Sequence, residues 1–346
     1  MRICGRGSWF TGLVVAVALL PARPVEARTE LLINCFWPPQ HFICREVLPK
    51  WRANVEDATG GRVSIRFLAK SMAAPQAQWE SVIYGVFDGA VQFNGFIDKQ
   101  VVGTQVSMTP FSAIADAEAM SVALWRTYEK FAAAAGEYDN VKLLGLFVSP
   151  GADFYSMTDV PITSLDTMKN RKMWANPGVV AHVLKGLDVP VVSSPAVQMN
   201  EIISRGIVDG FVGIAASDAF ALKVLSYAKS VTVTRNKIFS PTFSFFLSKE
   251  KWNEISPEDQ AAMMSVSGEV FSQLAGSVWA KYEAKALGSI GQRVELISAS
   301  DSFEASLIDS SKAFTDQWIK SADAKGIDGA AALEFYRETA TRLAAE

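Results

Sequence analysis

The chain has 346 residues, 49% of them hydrophobic, and a formal net charge of −3 from 33 basic and 36 acidic side chains. That length supports a large core and two domains, and a mildly acidic surface of mixed sign argues against nucleic acid or an anionic membrane as the main partner. Two histidines and three cysteines leave too few ligands for a zinc site. With no Walker motif, dinucleotide fingerprint or paired metal ligands, neither a metal, a cofactor nor an enzymatic reaction is expected.

The first segment, "MRICGRGSWFTGLVVAVALLPARPVEA", has a basic start at Arg2 and Arg6 and an apolar run from Trp9 to Leu20. Its Pro-broken tail ends in Val-Glu-Ala. This is the pattern of a secretory signal peptide over 1–27, cleaved near Ala27, with a run too short to span a membrane stably. Cleavage would remove Cys4 and leave 319 of the 346 residues as a soluble exported protein. Cys35 and Cys44 remain, either as a disulfide or as two buried thiols.

In chain order, "TELLINCFW" predicts a buried strand stopped by Pro38-Pro39, followed by a helix from Phe42 to Thr59. "RVSIRFL" is the next strand; a helix from Gln76 to Tyr84 leads into the strand "FDGAVQF". An Ala-rich helical region covers Asp116 to Gly136, and "VKLLGLFVS" is again a strand. The second half begins at Gly151 with strands in "DFYSMTD" and "RKMWAN", then the helix "VVAHVLKGL" and the strand "VPVV". "SVTVTRNKIF" and "FSFFLSK" read as strands, the latter returning to the first domain. Ser256-Pro257-Glu258-Asp259 is a helix start with an N-cap Ser, Pro at the first position and acids in the first turn. The pattern predicts one helix over 256–288, long enough to lie across two domains. The strand "RVELI" and two helices end the chain.

One unit occurs twice. "WESVIYGVFDGAVQF" (Trp79–Phe93) and "NEIISRGIVDGFVGI" (Asn200–Ile214) lie 121 positions apart and share a helix, a Gly suited to the left-handed C′ position, Asp-Gly and a short apolar strand. Each follows a strand and a Pro-containing loop, as in a βαβ unit. The fold class expected is therefore α/β, with two lobes and a ligand cleft between them at the strand ends. The expected division is 28–150 with 231–262 in lobe I and 151–230 with 280–346 in lobe II. Hinges are expected near Pro150-Gly151 and Ser230-Val231.

The stretch "GADFYSMTDVPITSLDTMKNRKMW", followed by "GLDVPVVSSPAVQMNEIISRGIVDG" and later "KWNEISPEDQ", resembles the solute-binding subunits of TRAP (tripartite ATP-independent periplasmic) transporters. The resemblance implies a monomeric periplasmic protein that closes around a small organic solute and delivers it to integral-membrane permease subunits. A ligand-presenting role toward a membrane sensor is the alternative of another class. The family's usual ligands are organic acids, clamped by an Arg at the end of a strand. Here Trp174 stands at that position, and Asp153 replaces a second frequent Arg.

That exchange suggests an amine, quaternary ammonium or zwitterionic solute, with Trp174 as a cation–π partner and Asp153 as counterion. The alternative is an aromatic or bulky acid stacked on Trp174, its carboxylate held by helix N-terminal amides such as those after Asn176-Pro177. Phe36, Trp37, Trp79, Phe93 and Phe211 are expected at strand ends or helix starts facing the cleft, with Asn94, Phe154, Asn176 and Gly213 beside them. Arg171 is a poor substitute clamp, because an odd shift along a strand turns a side chain to the other face.

Overall fold

The computed structural model describes residue 1, residues 28–112, residue 114 and residues 116–346. Apart from Met1, the expected signal peptide lies outside the described residues. No helix among the described residues is long and apolar enough to cross a membrane.

The first half contributes β1 (Thr29–Asn34), α1 (Leu48–Ala58), β2 (Val63–Phe67), α2 (Gln78–Ile83), β3 (Gly89–Phe93), α3 (Ala117–Thr127) and β4 (Val141–Val148). The second contributes β5 (Phe154–Ser156), α4 (Leu165–Lys169), β6 (Met173–Ala175), α5 (Val179–Gly186), β7 (Val191–Ser193), α6 (Met199–Ser204), β8 (Gly210–Val212), α7 (Ala216–Ala221) and β9 (Ser230–Val233). The chain then returns through β10 (Thr242–Ser248), α8 (Lys249–Asn253), α9 (Pro257–Ser265) and α10 (Glu269–Ile290). It ends with β11 (Glu295–Ser298), α11 (Asp301–Asp323) and α12 (Gly329–Leu343).

Two sheets result, in the orders β2-β1-β3-β10-β4 and β11-β9-β5-β8-β6-β7. They share one plan. The trios β2-β1-β3 and β7-β6-β8 are parallel. Each continues into an antiparallel strand that the chain enters directly after crossing from the other sheet, β10 beside β3 and β5 beside β8. The repeated sequence unit explains the likeness at atomic level. Gly85 and Gly206 both take left-handed backbone, at φ 70° and 65°. The next amides, Val86 and Ile207, bond back to Ser81 and Ile202 carbonyls at 2.8 and 3.3 Å, closing each helix with a Schellman turn. Three residues on, the Asp88 carboxylate accepts the Leu32 amide at 2.6 Å, and Asp209 accepts the Lys172 amide at 3.0 Å. Each Asp thus ties the entry of its strand to its parallel neighbour, Asp88 to β1 near its end and Asp209 to the residue before β6.

Apolar side chains alternate to both faces of each sheet, and helices cover both. Within β6, Met173 and Ala175 join the core that also holds Phe154 and α5, whereas Trp174 points into the opposite core with Tyr155 and Phe211. Cys35 and Cys44 form a disulfide, with Cα atoms 5.9 Å apart, that joins the end of β1 to the turn leading into α1.

Three expectations are corrected. The single helix over 256–288 is two helices: Gly268 has φ 59° and ψ −127°, and its amide bonds to the Leu144 carbonyl of β4 at 2.7 Å. A helical backbone cannot supply that conformation or spare that donor, so α9 stops and α10 restarts. α10, 22 residues and about 33 Å long, still packs against α3 and β4 at one end and α7 toward the other. The chain end is not confined to the second lobe. α11 begins with Phe303 against Phe154, but its Trp318 donates to the Val102 carbonyl at 3.0 Å, and α12 packs on α3. Ser230-Val231 lies inside β9, and the second crossing follows it, over 234–241.

The two crossings run side by side. Ser149 donates to the Pro241 carbonyl at 2.9 Å and Ala152 to that of Phe239 at 2.8 Å. Gly151 makes room for the Lys237 stem, which an added Cβ would meet at 1.9 Å.

Candidate functional site

A narrow cleft between the sheets is walled by both halves. From the first come Phe36 and Trp37 after β1, Pro75, Phe93 at the end of β3, Phe96, and Pro241 with Phe243 at the start of β10. From the second come Asn176, Pro195, Ala196, Ile214, Asp218 and Leu222. The aromatic wall is internally stacked: Phe36 lies on Trp37 with centroids 4.0 Å apart, Trp37 sits 4.9 Å from Phe243, and Phe93 5.6 Å from Phe243. Phe93 and Phe243 are register partners across β3 and β10, which places both rings on one face.

The lobes touch. An added Cβ at Gly178, before α5, would lie 3.3 Å from the Gly95 carbonyl oxygen of the opposite lobe, and Gly178 itself has φ 90°. His41 Nε2 reaches Asp218 Oδ1 at 3.1 Å. Trp279 of α10 stacks on Phe243 in the first lobe, and its indole N–H donates to Ser217 in the second at 3.2 Å. The start of α7 is held by Glu283, whose carboxylate accepts the Ala216 and Ser217 amides at 3.1 and 2.8 Å. Burial pushes that carboxyl above its ordinary value, against the pull of those hydrogen bonds.

Of the residues expected here, the structure brings together Phe36, Trp37, Phe93 and Asn176. Gly213 stands directly behind, its carbonyl accepting Asn176 Nδ2 at 2.6 Å. The other six are elsewhere. Trp174 is fully buried, and its N–H donates to Ser194 at 2.9 Å, one residue from the Pro195 wall. Phe211 stacks on Tyr155 at 4.4 Å beneath α6 and α7, and Phe154 packs on Phe303. Trp79 lies in the first lobe's core, 4.9 Å from Phe246. Asn94 belongs to a buried polar network, donating to Thr104 at 2.8 Å and accepting from Ser244 at 2.6 Å, which anchors the loop carrying Phe96.

Asp153 does not face the cleft as a free anion. Both its oxygens take Lys237 Nζ, at 2.7 and 2.9 Å, and Oδ1 also accepts the Thr234 amide at 3.1 Å. Burial raises the Asp153 carboxyl above its ordinary value, and Lys237 opposes that rise. Arg171 is likewise structural, buried against Ser156 and the Val160 carbonyl. Sequence reasoning missed Phe96, Phe243 and Asp218. Phe243 had a usable signal, since it opens the strand that crosses from the other lobe. Asp218 had none, because its place depends on how α10 holds α7.

The bacterial extracellular solute-binding protein family 7 model matches residues 33–321. The chain is 35% identical, over 96% of its own length and 98% of the relative's, to the outer membrane transporter protein TsaT of Comamonas testosteroni. A TRAP periplasmic solute-binding protein from Bordetella bronchiseptica, solved with (R)- and (S)-mandelate bound, superposes with TM-score 0.86 at 27% identity, covering 91% of this chain and 99% of that one. A Rhodoferax ferrireducens TRAP solute-binding protein in complex with benzoate shares the fold, with TM-score 0.81 at 20% identity over 91% of this chain and 98% of that one. The chain belongs to the family 7 extracellular solute-binding proteins, the periplasmic binding components of TRAP transporters.

Proposed function

We propose that this protein captures a small aromatic acid between its lobes and delivers it to integral-membrane TRAP permease subunits, by closure and without chemistry. The observation that carries this reading is the cleft wall: Phe36, Trp37, Phe93, Phe96 and Phe243 on one side, Pro195, Ile214 and Leu222 on the other. Flat rings stacked on such a wall gain about 0.5–1.5 kcal/mol per pair beyond burial. The mandelate bound to the Bordetella bronchiseptica relative supports it. The amine reading loses its basis, because Asp153 is already paired with Lys237 and Trp174 lies in a core. For the same reason the stacking surface passes from Trp174 to Trp37. None of the residues described as lining the cleft is Lys or Arg, so the carboxylate is assigned to the amides that open α5, which begins three residues after Asn176.

The test is a thermal-shift panel of mono- and dicarboxylates, aromatic acids and amines, followed by titration of the compounds that shift. A ligand at about 100 times its Kd adds about 2.7 kcal/mol. Aromatic acids should raise the melting temperature; Trp37→Ala should weaken them about tenfold or more, and Trp174→Phe by no more than about twofold. A shift by amines alone, or equal losses in the two variants, would overturn the assignment.

A further inference from the structure

We propose that His41 and Asp218 form a latch across the lobes that sets how long a captured solute stays bound. The proposal rests on the reading of the cleft as the solute site. His41 lies in the short loop that also supplies Phe36 and Trp37, and the disulfide between Cys35 and Cys44 brackets that loop. Its ring is fixed on both sides, stacked on Trp37 at 4.9 Å and 9° and packed on Phe42 at 4.2 Å. The Ile43 amide points at Nδ1 from 3.4 Å, which leaves Nε2 as the donor toward Asp218 Oδ1, 3.1 Å away.

The partner is equally constrained. Asp218 sits in α7, whose first amides are held by Glu283 and whose Ser217 is held by Trp279. His41 and Asp218 are separated by 177 positions and belong to different lobes. They are 2% and 6% exposed. Such burial exists only while the lobes are together; opening the cleft returns both groups to water. A contact of this kind stabilises the closed state and leaves the encounter with an open cleft unchanged. Its loss therefore accelerates release more than it slows capture. A buried hydrogen bond to a charged group corresponds to a change of roughly tenfold to a hundredfold in dissociation rate.

The experiment is stopped-flow tryptophan fluorescence on the full chain with mandelate as probe. It compares wild type with His41→Leu, Asp218→Ala, the double variant and His41→Gln, which keeps a donor. The expected result is a dissociation rate about ten- to hundredfold faster in each of the first two, an association rate within about threefold of wild type in His41→Leu, and partial rescue by His41→Gln. The double variant should release no faster than the worse single one, because each single change already breaks the same bond. Wild-type release rates in folded His41→Leu and Asp218→Ala would overturn the latch, as would fully additive effects in the double variant. Should His41→Leu not fold, Asp218→Ala decides from the other side of the contact. Wild type that mandelate does not saturate, while another solute of the panel does, fails the aromatic reading alone, and the same rates are then measured with that solute.

Discussion

Lys237→Met removes the cation that both Asp153 oxygens share, at 2.7 and 2.9 Å, where the two chain crossings run side by side. The side chains of Lys237 and Asp153 are 11% and 6% exposed, so the orphaned carboxylate would have only the Thr234 amide and almost no water. Breaking a buried pair from one side costs about 3–5 kcal/mol. Much of that is the burden of an unpaired charge, and the pH dependence separates it from lost packing. Burial already raises the Asp153 carboxyl in the folded protein, and without Lys237 nothing comparable opposes the rise. A carboxyl raised in the folded state is destabilising when ionised, so the deficit is complete above its raised value and shrinks as pH falls through it. Urea unfolding of wild type and variant at about pH 8 and about pH 5 should show the larger gap at the higher pH. Adding Asp153→Asn to Lys237→Met should recover most of the loss, since a neutral pair leaves no buried charge. A loss under about 1 kcal/mol, or one that is equal at both pH values and unrelieved in the double variant, would refute the reasoning.

Gly178→Ala imposes a side chain on a backbone at φ 90° and 3.3 Å from the Gly95 carbonyl of the other lobe; it should cost about 1–3 kcal/mol and weaken ligand binding more than it lowers the melting temperature. Unaltered affinity would mean that this approach is not needed for closure. Cys35→Ser with Cys44→Ser opens a link of sequence separation 9, which corresponds to about 2.5 kcal/mol of chain entropy, read from urea midpoints with and without reductant. Burial raises the carboxyls of Glu137 and Glu283 as well as Asp153. Their stabilising contribution is complete below the ordinary carboxylate range and is lost as pH rises through the raised values. Glu283→Gln should flatten the decline of stability with pH above that range, and an unchanged slope would contradict the sign.

The repeated unit was legible because its parts are local. A Gly at the end of each helix, Asp-Gly, and an apolar strand specify a Schellman turn and a strand entry whatever surrounds them, and the two copies form the same bonds in the structure. The N-cap at Ser256 was legible for the same reason, its hydroxyl accepting the Asp259 amide at 3.1 Å. Facing is a different matter. A strand of three residues such as β6 presents side chains to two buried faces, both apolar here, so alternation could not say whether Trp174 met the cleft or a core.

Pairing was equally hidden. Asp153 reads as an available anion until Lys237, 84 positions on, is brought beside it by the second crossing. The break at Gly268 is invisible in a helical pattern because its cause is the Leu144 carbonyl of a distant strand. By itself, then, the sequence determined most of the elements, the duplicated unit and the two-lobed plan, which depend on short-range backbone preference and periodicity. Only the tertiary structure decided which aromatic rings line the cleft, which charges are already satisfied and where the lobes meet, because those depend on contacts between residues far apart in the chain, 84 positions for Asp153 with Lys237 and 177 for His41 with Asp218.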